Sequence, residues 1–189
     1  MTKLTKEQKV IIQKIHNFVK KEANYWHDDI FSNHVLAVKD YSIKLAKYYN
    51  ADLFVSIISA YLHDIYYIQT KNHSIHEIEG CKFARKYLLQ YKIPKKQIDL
   101  ITKCILHHRG SKKDKRTSLE EKIIACADAM DHINRILYFF YNSQGETFDN
   151  ILILVKGKIE RGWNKLELPY AKELMKDKYI ATKEFFKYY

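Results

Sequence analysis

The sequence predicts an all-α fold, a single helical bundle, on three observations. Only five glycines and two prolines interrupt 189 residues, which leaves few turns and long helices. Capping signals recur along the chain, each followed by apolar residues spaced three and four apart. The strand-like run Ile151-Leu152-Ile153-Leu154-Val155 has no second such run to pair with, and so reads as helix.

Each element follows in order. Thr5 and Gln8 make a capping box ahead of Ile11, Ile15 and Phe18. Ser32-Asn33 caps a second helix carrying Val35, Val38, Leu45 and Tyr49. Asp52 caps a third, Leu53 to His63, apolar nearly all round as a central buried helix should be. Ser74-x-x-Glu77 opens a fourth, with Ile78, Cys81, Ala84 and Leu88 facing the core. Pro94 suits the first turn of a fifth helix that ends near His108, with Gly110 just beyond. Ser118-x-x-Glu121 starts a long sixth through Ile123, Met130, Ile133 and Leu137, and Gly145 closes that region. Pro169 begins a last helix reaching toward Phe186. No repeat, linker or low-complexity tract divides the chain, so residues 1–189 are expected to form one domain.

A hydrophobic fraction of 47% supports a packed core, and 29% charged residues do not suggest disorder. The net charge of +11 favours anionic partners. Its excess is mostly lysine spread along the chain, so nucleic acid is a weak expectation. Cys81, Cys104 and Cys126 form no C-x-x-C pair, which argues against a disulfide framework or a cysteine zinc site. They point instead to a reducing compartment. The N-terminal stretch lacks the apolar core of a signal peptide, and no apolar stretch reaches membrane-span length. A cytoplasmic protein without a membrane partner is expected.

The chemistry gathers at His63-Asp64, which ends an apolar run. Unpaired polar groups there would cost stability, and a bound cation removes that cost for both side chains. His34 upstream and Asp128 downstream complete a four-residue metal-ligand set, His34, His63, Asp64 and Asp128, on three helices. Four ligands plus waters suit six-coordinate manganese, iron, cobalt or nickel better than a closed structural zinc. Magnesium and zinc remain in the set of candidate ions. Neighbouring helix residues point about 100° apart, so the ion must sit beside the helix, between the two directions.

His76, His107 and His108 make a second set, able to hold a second ion, bind phosphate or serve as a general acid. Arg109, Lys112, Lys113 and Lys115 follow in a loop that can neutralise a substrate's phosphates. The expected catalytic groups are Asp64, orienting water, and His76 or His107, assisting the leaving oxygen. His16, His73 and His132 read as surface residues, and His27-Asp28 as a decoy pair without a preceding apolar run. Tyr61, Tyr66 and Tyr67 can stack on a base or simply fill the core. The C-terminal Phe185-Phe186-Lys187-Tyr188-Tyr189 reads as packing or a homodimer contact.

The order His34, His63-Asp64, Asp128, within "NHVLAV", "SAYLHDI" and "KIIACADAMDHI", resembles the HD superfamily of metal-dependent phosphohydrolases. "HEIEGCKFARKYL" and "ILHHRGS" resemble that family's middle region, and the likeness spans roughly residues 20 to 140. It implies an HD-type bundle with the metal site in its core and C-terminal helices packed on it. It also implies cleavage of a phosphate ester or anhydride in a nucleotide-like substrate by metal-activated water. Asp131 matches an acidic position one turn after the metal aspartate, where it would support a ligand from behind. Ala37 stands where relatives often carry arginine, and Ile65-Tyr66-Tyr67-Ile68 where alarmone hydrolases carry acids. A module that binds a nucleotide without cleaving it is the main alternative, and a basic nucleic-acid-binding protein the lesser one.

Overall fold

The computed structural model describes residues 3–25, 29–136 and 145–188. The side chains of Lys113 and Asp114, the pair His27-Asp28 and Leu137 lie outside the described residues. Helices follow one another as α1 Lys6–Tyr25, α2 Leu36–Tyr49, α3 Leu53–Leu62 and α4 Ile65–Thr70. Next come α5 His76–Leu88, α6 Lys95–His107, α7 Leu119–Asn134, α8 Phe148–Lys165 and α9 Pro169–Phe186. One π-helical turn, Phe31–Val35, runs into α2, and a 3₁₀ segment, Gly110–Lys115, joins α6 to α7. Among the described residues there is no strand, and Ile151 to Val155 lies within α8.

Several caps form as the sequence expects. Thr5 and Gln8 exchange hydrogen bonds of 3.0 and 3.1 Å. Asp52 accepts from the Val55 amide at 3.0 Å, and Ser118 and Glu121 close a full capping box. Four expectations are corrected. Ser32 and Asn33 cap nothing: the backbone is already helical at Ile30, and the Asn33 amide donates to Asp29 O at 2.8 Å. Ser74 and Glu77 form no box, because α5 starts at His76 and the Glu77 carboxylate takes Arg109 at 3.0 Å. The buried stripe of α5 is therefore Glu77, Gly80, Ala84 and Leu88, leaving Ile78 exposed. Pro94 is the cap residue before α6 rather than its first turn. The short helix α4 carried no sequence signal of its own.

Helix α3 is the centre, with every residue from Phe54 to Leu62 buried. It packs with α1, α5 and α6 in one apolar cluster, which includes Ile15, Ile58, Leu88 and Ile105. A second cluster joins α2 to α9 through Leu45, Ala171 and Met175. Helix α7 runs between them, giving Ile124 and Ala127 to the first and Ile123, Cys126 and Met130 to the second. Burial on both faces explains its small residues. Gly162 lets α8 approach α7 closely, since a Cβ there would lie 3.3 Å from Ile133 Cγ1 and 3.5 Å from Ala129 O. None of the described helices is long and apolar enough to cross a membrane.

Ser118→Ala opens the α7 capping box and is expected to lower the unfolding free energy by about 0.5–2 kcal/mol. Urea denaturation followed by circular dichroism measures it, with an unchanged slope marking an intact fold.

Candidate metal centre

Local breaks in helix geometry aim the key side chains. His63 ends α3 in helical conformation, while Asp64 steps out to φ −110° and ψ 16° before α4 begins. That bridge-region turn lets two adjacent residues face one space, which a continuous helix would not allow. His34 sits in the π-helical turn, where the Leu36 amide reaches back five residues to Phe31 O. The wider turn re-aims a side chain, as such turns often do at functional sites. His76 opens α5, His108 follows the end of α6, and Asp128 and His132 lie one turn apart on α7.

Three imidazoles are oriented alike. His63, His76 and His108 donate their Nδ1 protons to the carbonyls of Ala60, His73 and Ile105 at 2.8, 2.9 and 2.7 Å. His34 turns its Nδ1 to Asp131 Oδ2 at 2.7 Å, and Arg135 Nε holds the other Asp131 oxygen at 2.6 Å. All four rings therefore point Nε2 inward. The Nε2 atoms of His34 and His63 are 3.1 Å apart, and so are those of His76 and His108. Two bare lone pairs at that distance repel, so each pair must share a proton or a cation.

Asp64 stands between the pairs. Its Oδ2 lies 3.5 Å from His34 Nε2 and 3.4 Å from His63 Nε2. Its Oδ1 lies 3.2 Å from His76 Nε2 and 3.5 Å from His108 Nε2. Asp128 Oδ1 is 3.4 Å from both His34 and His132, while Lys165 donates to its Oδ2. Three overlapping groups result: His34-His63-Asp64, His34-Asp128-His132 and Asp64-His76-His108, each with ligand atoms within 4.8 Å of one another. Nitrogen and oxygen donors so gathered fit a metal ion.

The charges agree with that arrangement. Burial opposes charge on His34, yet hydrogen bonds to Asp131 and Asp64 and the charge of Asp128 raise its pKa to about 10. Burial pushes Asp64 up, but His63 and the hydrogen bonds from His34 and His76 hold it well below the usual carboxylate range. Asp128 is likewise pushed up by burial and held far down, chiefly by Lys165. Burial lowers His108 and His132 to about 3 against the pull of the acids, keeping both neutral. His76 is raised, because Asp64 outweighs burial.

A cavity of about 680 Å³ opens over the cluster, bounded by Asp64, His76, His108, Asp128 and Arg109. Arg109 thus stands where a phosphate-binding residue would, its guanidinium braced by Glu77. Lys112 and Lys115 are not among the lining residues. His107 is not brought to the cluster: its Nδ1 pairs with the buried Glu121 at 2.5 Å. Tyr61 is occupied by His16 at 3.0 Å.

Sequence reasoning missed four residues. His132 is no surface histidine: it stacks on His34 with centroids 5.6 Å apart and faces Asp128. Its position four after Asp128 on one helix was the available signal. His73 is exposed, as expected of a surface residue, and stacks on Tyr67 at 3.8 Å at the rim of the cavity. Lys158, Arg161 and Lys165 of α8 form the opposite wall. Their spacing of three and four marks one helical face.

Comparison with known proteins agrees with this geometry. The family model described as HD domain matches residues 31–133. The Bacillus subtilis protein YpgQ, solved in complex with ADP, is 20% identical with a TM-score of 0.71, over 96% of this chain and 94% of that one. The Lin1889 protein of Listeria innocua is 22% identical with a TM-score of 0.68, over 95% and 93%. A predicted HD superfamily hydrolase from an uncultured Thermotogales bacterium is 22% identical with a TM-score of 0.59, over 78% and 84%. At such identities the likeness is one of fold. No curated protein matches the chain.

Asp131→Asn removes the charge behind His34 while keeping the side chain's shape. Manganese affinity, read by calorimetry, is expected to fall about 10- to 100-fold with helicity unchanged.

Proposed function

The chain belongs to the HD domain family, and from that premise we propose that it is a metal-dependent phosphohydrolase acting on a nucleotide-like substrate. The reaction is cleavage of a phosphate ester or anhydride by water. One observation carries the reading: the two oxygens of Asp64 face two separate histidine pairs, each with Nε2 atoms 3.1 Å apart. Such a carboxylate is suited to bridging two ions, and two-ion sites clamp the attacking and leaving oxygens of a displacement at phosphorus.

His34, His63 and Asp128 would hold one ion, His76 and His108 the other, with Asp64 shared. The imidazole-rich set suits manganese, iron, cobalt, nickel or zinc more than magnesium, which prefers oxygen alone. A divalent ion there supplies a bound water whose pKa falls from 15.7 toward about 7. The remaining work belongs to side chains. Asp64 orients the attacking water through a lone pair of its carboxylate. Lys165 neutralises Asp128, and Arg109 meets phosphoryl oxygens from the mouth of the cavity. His107, turned to Glu121, takes no part.

The nucleotide draws support from the ADP bound to the Bacillus relative. We further propose a cytoplasmic protein acting as one domain, since Cys81, Cys104 and Cys126 are free thiols. Phe185 and Tyr188 are exposed and offer the C-terminal contact of a homodimer.

The test is a panel of nucleotides and phosphodiesters with manganese, cobalt, nickel and magnesium, and chelator controls. Metal-dependent release of phosphate or pyrophosphate is expected, and its absence across the panel would leave a binding module instead. Asp64→Ala should abolish turnover while keeping the helical circular dichroism. Mass spectrometry of the native protein should find two ions per chain, reduced in that variant.

A further inference from the structure

Helix α7 sets a carboxylate and an imidazole one turn apart on one face, Asp128 and His132. Donors so spaced can meet a single ion with no loop to order, as two histidines four apart do on a zinc-binding helix. The Asp128 carboxylate is already oriented, since Lys165 donates to Oδ2 while Oδ1 faces the imidazoles. That Oδ1 stands 3.4 Å from His34 Nε2 and 3.4 Å from His132 Nε2. The three side chains form a donor group of their own, within 4.8 Å of one another, that leaves out His63 and Asp64.

A histidine that merely serves a buried acid looks different in this molecule. His107 comes within 2.5 Å of the Glu121 carboxylate, a close hydrogen bond. His132 stays 3.4 Å from Asp128, beyond the span of about 2.7–3.2 Å for an N–H···O bond. Two donors that each sit about 2.0–2.2 Å from one ion lie roughly 3.0–3.5 Å apart, which is the spacing Asp128 keeps to both histidines. Asp128 does not need His132 as a counter-charge, because Lys165 already meets it. The His132 ring lies nearly parallel to that of His34, with 10° between the planes, so two imidazoles reach one carboxylate oxygen side by side. His132 also lines the cavity, as do Asp64, His76 and His108.

Resting on the metal-dependent reading, we propose that His132 is a ligand of the ion held by His34 and Asp128, and that it turns this position toward nitrogen-preferring divalent ions. With His63 the position then has three imidazoles, against two, His76 and His108, on the other side of Asp64. Imidazole favours nickel, copper, iron and zinc, whereas carboxylate and water suit manganese and magnesium. The two ions are therefore unlike, the one at His34 being the more selective.

Dialysis of the whole chain against one equivalent of Ni²⁺ with a large excess of Mn²⁺, then elemental analysis of the protein, reads this preference without any turnover. His132→Gln exchanges the nitrogen for an amide oxygen, and His132→Phe keeps a ring beside His34 with no donor on it. Removing a group that only supports a ligand costs about 10- to 100-fold in affinity. Loss of the ligand itself is therefore expected to cut the Ni²⁺ preference by about tenfold or more in both variants, with circular dichroism unchanged. Mn²⁺ affinity in His132→Gln should stay within about threefold, since oxygen suits that ion. The visible absorption of the Co²⁺-loaded chain should also move to longer wavelength in His132→Gln, because oxygen is a weaker-field donor than imidazole. A histidine that only packs against His34 would let His132→Phe keep the preference. That result, or equal losses of Ni²⁺ and Mn²⁺ in His132→Gln, overturns the ligand, while metal-dependent turnover by the natural chain leaves the phosphohydrolase reading standing. The expected loss in a chain that hydrolyses nothing supports the ligand and sinks that reading alone.

Discussion

Each imidazole at the heart of this molecule is held by giving one proton away. His63 and His108 stand where α3 and α6 end, and a helix end leaves carbonyls without intrahelical partners. The carbonyls of Ala60 and Ile105 are such groups, and the Nδ1 protons of His63 and His108 satisfy them. One hydrogen bond thus closes a helix end, fixes the tautomer and turns Nε2 toward the cavity. His76 uses His73 O before α5 in the same way. His34 uses Asp131, a charged acceptor, which with Asp64 and Asp128 raises its pKa to about 10 against burial. Three of the four imidazoles, His63, His76 and His108, are in this sense held at helix ends, and moving any of these ends by a residue would misalign a nitrogen.

The remaining constraint is electrostatic. Asp128 and Asp131 are buried in α7, where an unpaired carboxylate would cost several kcal/mol, of order 3–5. Each is met from more than one direction: Asp128 by Lys165, His34 and His132, and Asp131 by His34 and Arg135. Glu121, buried on the same helix, is satisfied by His107 and the Thr117 and Ser118 amides. Its histidine partner, His107, is thereby turned to Glu121 and away from the cluster. Helix α7 can carry three buried acids between two apolar clusters only because each has its own counterpart.

What was legible in the sequence follows from how local each signal is. The caps at Thr5, Asp52 and Ser118 involve residues three apart, and all three formed. The metal-ligand candidates stood in order and frame, and the structure sets His34 Nε2 within 3.1 Å of His63, 3.5 Å of Asp64 and 3.4 Å of Asp128, although Asp128 groups with His34 and His132 rather than with His63 and Asp64. The failures depend on distant partners. Glu77 left its expected capping box because Arg109, far along the chain, took the carboxylate. His107 and His108 are adjacent and chemically identical, and their partners separate them: Glu121 takes His107, and the Ile105 carbonyl holds His108 toward the cavity. His132 was overlooked because a histidine on a helix face does not announce what lies opposite. The wall of α8 was overlooked because its lysines resemble the many other lysines of a chain with net charge +11.

That wall is tied to the ligand set by one buried cation. The Arg116 guanidinium donates to the carbonyls of His107 and Arg109 at 2.8 and 2.6 Å, closing the end of α6 beside His108. Its other edge pairs with Glu167 in the link between α8 and α9. The Glu167 amide in turn reaches Cys126 Sγ on α7 at 3.3 Å. The helix ends bearing His108 and Lys165 and the helix bearing Asp128 are thereby locked together. The family match stops at residue 133, yet the cavity does not, since α8 supplies its facing side. The histidines and aspartates of the cluster and the cations of the α8 wall thus sit on separate stretches of sequence, joined through Arg116 and Glu167. Loosening the joint itself would disturb both.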